Sequence, residues 1–298
     1  MAFLFLLAVA ASLDAPSTPP ESAALSDAAP SDIVVEGRKD RNKRIQKFVD
    51  AVTVARIGGE LSRFNDKVCP AAVGLSEVQN ELVVNRLRAV ANAAGMKVAG
   101  PGCMASALVA VVDDKEAFLS ALRKRYPSYF QNALGEPIAT PREPGPATAW
   151  HVESILDADG LKPTLLRNPE TGAKHFELES MESGRVKPMS RPHFVAGTLV
   201  VERSALGGLT TTQLADYAAM RLYVRTRPAR MRDSSAPTIL SVLEAPFGSQ
   251  VPITITAWDL AVLRSLYSTD PMQFATQQRA AIVAEVKKAL NGEKAPKN

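Results

Sequence analysis

The 298 residues carry 35 Lys and Arg against 31 Asp and Glu, a formal net charge of +4, with 46 % apolar and 22 % charged side chains. These are ordinary globular proportions, and the length suits one large domain or two of moderate size. The scarce residues exclude more. With only His151, His175, His193, Cys69 and Cys103 available, a zinc finger, an iron–sulfur ferredoxin and a cysteine-rich small scaffold are ruled out.

Residues 1–12 read MAFLFLLAVAAS, an apolar run that ends in small residues. This pattern predicts a secretory signal peptide over 1–13, cleaved near Val9-Ala10-Ala11, although no Lys or Arg precedes the run. The run falls well short of the about 20 residues that span a bilayer. Residues 14–39 open with a stretch rich in Ala, Pro, Ser, Asp and Glu. Such a stretch buries too little apolar surface to offset its chain entropy, so a disordered linker is expected. Export places Cys69 and Cys103 in an oxidising compartment, where two cysteines most simply form one disulfide. Closing that loop stabilises by about 3–4 kcal/mol on chain-entropy grounds. The expected location is therefore periplasmic or secreted.

From Glu36 to Lys47 basic residues outnumber acidic ones six to two, the mark of a solvated helix face. Ser76 and Gln79 form a capping box, and Val78, Leu82, Leu87, Val90 and Ala94 give the following helix an apolar stripe closed by Gly95. Residues 105–112 (ASALVAVV) are a continuous apolar run, the pattern of a strand buried on both faces. Asp113 and Glu116 suit a helix N-terminus, Phe118, Leu119 and Leu122 its buried side, and Pro127 its end. A small disulfide-linked α/β domain over 40–133 follows from this order.

Residues 134–148 include four prolines and two glycines and are the expected Pro-rich linker. Alternating segments at 150–156, 175–178 and 194–201 read as strands. Thr210 and Gln213 form a second capping box, Thr256 starts another helix, and a last one is expected over 276–290. The second domain, 149–292, thus has strands followed by helices, an α+β order, with a tail at 293–298. The expected fold class is α+β.

No HExxH, GxSxG or Walker A sequence occurs. Gly100-Pro101-Gly102 precedes a strand rather than following one, so it reads as a turn and not as part of a dinucleotide site. Asp259 suits a helix N-terminus, and Asp216 suits a partner arginine. No catalytic residue, metal site or cofactor is assigned. The sharpest charge feature is Arg221, Arg225, Arg227, Arg230 and Arg232, with no acid among them. They form a candidate anion-binding patch for a phosphate, a carboxylate or a lipid head group. Export argues against nucleic acid. A solvated face balanced by acids elsewhere in the fold is the alternative for the same arginines.

The segment DIVVEGR at 32–38, RFNDKVCP, AAVGL and the GPGC that ends at Cys103 resemble a group of small exported proteins of Gram-negative bacteria without established function. DIVVEGR alone also resembles the mature start of TonB-dependent receptors, but this chain is too short for their barrel and plug. Residues 193–290, through Gln213, Asp259, Leu263, Leu266 and Tyr267, resemble a zincin-like exported bacterial domain. The helix expected at 211–225 holds neither His nor Glu, so that resemblance implies a peptidase-like scaffold without the peptidase site. The expected function is a non-catalytic binding or envelope-associated module, whose partner would be an envelope protein or an anionic ligand. A hydrolase built on Gln213, Asp216 and one of the three histidines is the alternative.

Overall fold

The computed structural model describes residues 37–55, 60–132, 134–138, 143–179, 188, 190–231, 235–246 and 248–292. The expected signal peptide, nearly all of the 14–39 linker, the tail and Arg232 lie outside them.

Helix α1 (Arg38–Val52) opens this part of the chain. Its charged sequence hides a stripe at helical spacing. Ile45, Phe48, Val49 and Val52 are fully buried, and Phe48 meets Trp258 edge-on at 5.3 Å. After the short strand β1 (Arg63–Phe64), β2 (Pro70–Val73) leads into α2 (Glu77–Ala93) and β3 (Ala107–Val112). The Ser76/Gln79 capping box starts α2 as expected, and Val83, Leu87, Val90 and Ala91 form its buried side. The turn into α2 requires Gly74. Its φ is +93°, and a Cβ there would stand 1.9 Å from the Val111 carbonyl oxygen. Helix α3 (Lys115–Arg125) is capped by Asp114 rather than Asp113.

Beyond a 3-10 turn at Pro127–Phe130 come β4 (Ala147–Leu156), the hairpin β5 (Thr164–Arg167) and β6 (Lys174–Glu177), and the long β7 (Arg191–Glu202). Three helices complete the chain: α4 (Thr211–Leu222), α5 (Ala257–Ser268) and α6 (Ala275–Gly292). The capping boxes at Thr210/Gln213 and Thr256/Asp259 are both formed.

Helices and a mostly parallel sheet make a mixed α/β architecture. Strand β7 is its spine: β4 lies antiparallel along one edge, while β1 and β3 lie parallel along the other, with β2 outside β3. The alternation of strand side chains separates two cores. Val109, Val111, Leu199, Val201 and Ala149 face α1, α2, α4, α5 and α6. Ala110, Val200 and Trp150 point the other way, onto Leu119 and Phe130. This burial on both faces explains the unbroken apolar run of β3.

The Pro-rich stretch does not divide the protein as expected. Residues Gly37–Asn298 form one unit, and β3 from before the stretch pairs with β7 from after it, from Ala107↔Gly197 to Val112↔Glu202. Prolines and glycines mark where regular structure stops, but not which strands meet afterwards. The segment is also tied inward. The Glu143 and Gly145 carbonyls accept hydrogen bonds from the buried Lys115 Nζ at 3.0 and 2.6 Å.

Candidate functional site

The candidate arginines among the described residues do not make a common surface. Arg221 is only 2 % exposed, within the centre of the fold. Its Nη1 donates to the Tyr217 hydroxyl at 2.8 Å, and its Nη2 is paired with the Glu143 carboxylate. Burial pushes the Arg221 pKa down, but Tyr217 and Glu143 outweigh it and hold the guanidinium charged. Arg225 pairs with Glu153 on β4 at 2.6 Å. Arg227 and Arg230 are exposed around the 3-10 turn Pro228–Met231. The expected patch is thus corrected: Arg221 lies in the interior and the partly exposed Arg225 is held by Glu153, because carboxylates far off in sequence come to meet them.

Gln213 and Asp216 are likewise engaged. The fully buried Asp216 receives Arg86 bidentately at 2.7 and 2.9 Å, the Thr254 hydroxyl at 2.7 Å and the Ile255 amide at 2.7 Å. Gln213 Nε2 donates to the Pro252 carbonyl at 3.0 Å. Together they pin the approach to α5 onto α4. Asp259 caps α5 as expected, and it also accepts from the Thr238 hydroxyl and the Ile239 amide. Burial raises its pKa against those hydrogen bonds.

The histidines are dispersed. His151 stacks on Phe194 with ring centres 4.0 Å apart, and its Nε2 lies 2.9 Å from the Leu222 carbonyl oxygen. Burial pushes it down to about 3, so the ring is neutral near neutral pH. Gly197 makes room for it, since a Cβ there would stand 3.1 Å from the His151 ring. His175 is exposed on β6, and His193 is buried on β7. Among the described residues, no hydrogen bond joins a histidine to Gln213 or Asp216, and no group of three or more His, Cys, Asp or Glu could hold a metal ion.

The feature that sequence reasoning missed is a pocket of about 290 Å³ at a split in the sheet. Strand β1 stops pairing with β7 at Phe194, and β3 starts at Gly197. A bulge lies opposite the same place: Val152 faces Ala196 and Glu153 faces Phe194, which leaves Val195 without a counterpart. Val195 is 46 % exposed and lines the opening. Phe64, Phe194 and Phe176, the last from the β5–β6 hairpin, supply apolar walls. Phe64 and Phe194 meet edge-on at 5.5 Å. Strand β1 is itself held by α5. Arg63 donates to the Leu266 and Thr269 carbonyls, and the Phe64 amide donates to the Tyr267 hydroxyl.

The polar lining includes Asp66, Lys67, Lys162, Ser106 and His193. Lys162 and Asp66 pair at 3.0 Å, with both side chains more than half exposed. Burial lowers the His193 pKa; Asp66 opposes the shift and Lys162 adds to it. The Ser106 hydroxyl oxygen accepts from the Cys69 amide at 2.9 Å. The expected Cys69–Cys103 disulfide is formed, with Cα atoms 6.0 Å apart, and it fastens the loop before Ser106 to the start of β2. No sequence pattern marks this site, since its lining comes from six separated stretches of chain. The bulge that opens it has no local signature either.

Comparison with family models, curated proteins and solved structures finds no match for this chain. Among the described residues, no helix is long and apolar enough to cross a membrane.

Proposed function

We propose that this protein is an extracytoplasmic, non-catalytic binding module whose ligand site is the pocket beside Val195. One observation carries the reading. The pocket gathers three phenyl rings and a few polar groups in a single concavity, whereas the other strong candidates are held in internal contacts. Concave sites with apolar walls and sparse polar groups are the usual form of small-molecule sites. The leader-like start and the disulfide support the compartment. The resemblance of residues 32–130 to exported Gram-negative proteins points the same way.

An uncharged naphthalene dye tests the site. Its fluorescence should rise in the presence of the wild-type protein and fall back with Phe176→Ala, a half-buried hairpin position whose loss leaves both cores intact. Equal fluorescence with both proteins would remove the pocket from consideration. A reporter enzyme fused behind the amino-terminal segment tests the compartment, and purely cytoplasmic activity would overturn it.

A further inference from the structure

We infer that the pocket takes a small carboxylate with an apolar body, held by the Lys67 ammonium and the Ser106 hydroxyl at its polar end and by the phenyl rings along its body. The inference rests on the pocket being the ligand site. The charge balance around the lining decides the sign. Asp66 is matched by Lys162 at 3.0 Å. Glu153, which lies near His193, is matched by Arg225 at 2.6 Å. The His193 ring is shifted toward its neutral form. That leaves Lys67, which has no carboxylate within ion-pair distance among the described residues. The pocket therefore carries one surplus positive charge.

Ser106 adds direction. Its oxygen already accepts from the Cys69 amide, so the hydroxyl hydrogen remains to be donated, and no hydrogen bond from it is formed among the described residues. A donor and a cation lining one pocket suit an anion that accepts twice, and a carboxylate does so with charge-assisted bonds. The remaining wall, from Phe64, Phe176 and Phe194, offers a carboxylate's apolar body an apolar surface. A volume of about 290 Å³ sits at the small end of ligand pockets, which favours one ring on a short chain.

Hydrocinnamate and its amine and alcohol counterparts, titrated into the full chain by calorimetry, share one body and differ in head group. The acid should bind about ten-fold more tightly than the amine, the ratio expected of one charge-assisted bond. Lys67→Ala, at an exposed position that keeps the fold, should erase most of that ratio while leaving the alcohol unchanged. Ser106→Ala should weaken the acid alone. An amine or alcohol that binds as well as the acid, or an acid preference that survives Lys67→Ala, overturns the assignment. If none of the three binds while the uncharged dye does, the ligand class is wrong and the site stands. If the dye fails as well, both readings fall.

Discussion

Arg221 on α4 and Glu143, which precedes β4, meet as an ion pair whose arginine side chain is 2 % exposed and whose glutamate side chain is 17 % exposed. Breaking such a pair from one side leaves a charge buried without its counter-ion. Glu143→Ala should therefore destabilise the protein by about 3–5 kcal/mol, read from urea unfolding. Replacing both residues, as Arg221→Met with Glu143→Leu, should recover most of the loss. A single Glu143→Ala within about 0.5 kcal/mol of wild type would show that Tyr217 alone satisfies the guanidinium.

The Asp216 cluster makes a similar prediction with a local readout. Asp216→Ala takes the shared acceptor from the Arg86 guanidinium, the Thr254 hydroxyl and the Ile255 amide at once, leaving only the Arg86–Thr254 hydrogen bond. A cost of about 3–5 kcal/mol is expected, together with faster amide exchange at Ile255 than in the rest of the chain.

The disulfide closes a loop of 34 positions. Reduction, or the pair Cys69→Ser and Cys103→Ser, should lower stability by about 3–4 kcal/mol. It should also weaken ligand binding, because the loop before Ser106 loses its anchor. Unchanged binding after reduction would separate the bridge from the pocket.

Acid sensitivity follows from His151. Its ordinary value of 6.5 falls to about 3 in the fold, chiefly through burial. The unfolded chain thus takes up a proton that the folded chain refuses between those two values. The contribution to stability is complete above pH 6.5 and is lost as pH falls toward about 3, at up to about 1.4 kcal/mol per pH unit. Urea midpoints measured at several pH values should show this slope, and His151→Phe should flatten it.

Gly74→Ala tests the β2–α2 turn. The added methyl would collide with the Val111 carbonyl, in a backbone conformation that L residues rarely adopt. A loss above about 1 kcal/mol is expected by thermal denaturation.

Local chemistry made much of this fold legible. Ser76, Thr210 and Thr256 announce their helices because a cap is settled within four residues. The apolar run before Asp113 announces a strand buried on both faces because each residue must face one of the two cores. What stayed hidden depends on meetings across long distances. Arg221 and Arg225 resemble a surface patch until Glu143 and Glu153 are placed beside them. Strand β1 is two residues long, and its register is set by β7 and by α5 rather than by its own sequence. The pocket arises from a bulge whose only trace is Val195 left unopposed.

The spine position of β7 has a consequence in time. Strands β1 and β3 both wait for a partner that is synthesised long after them, so the sheet cannot close while only the first half of the chain is available. Until then β3 has a bare edge of the kind that invites mispairing. Cys69 and Cys103 both lie in that early half, and Val68 already pairs with Val98 there. An oxidised β2–α2–β3 unit would arrive at the spine with its register set, leaving β7 to dock rather than to search.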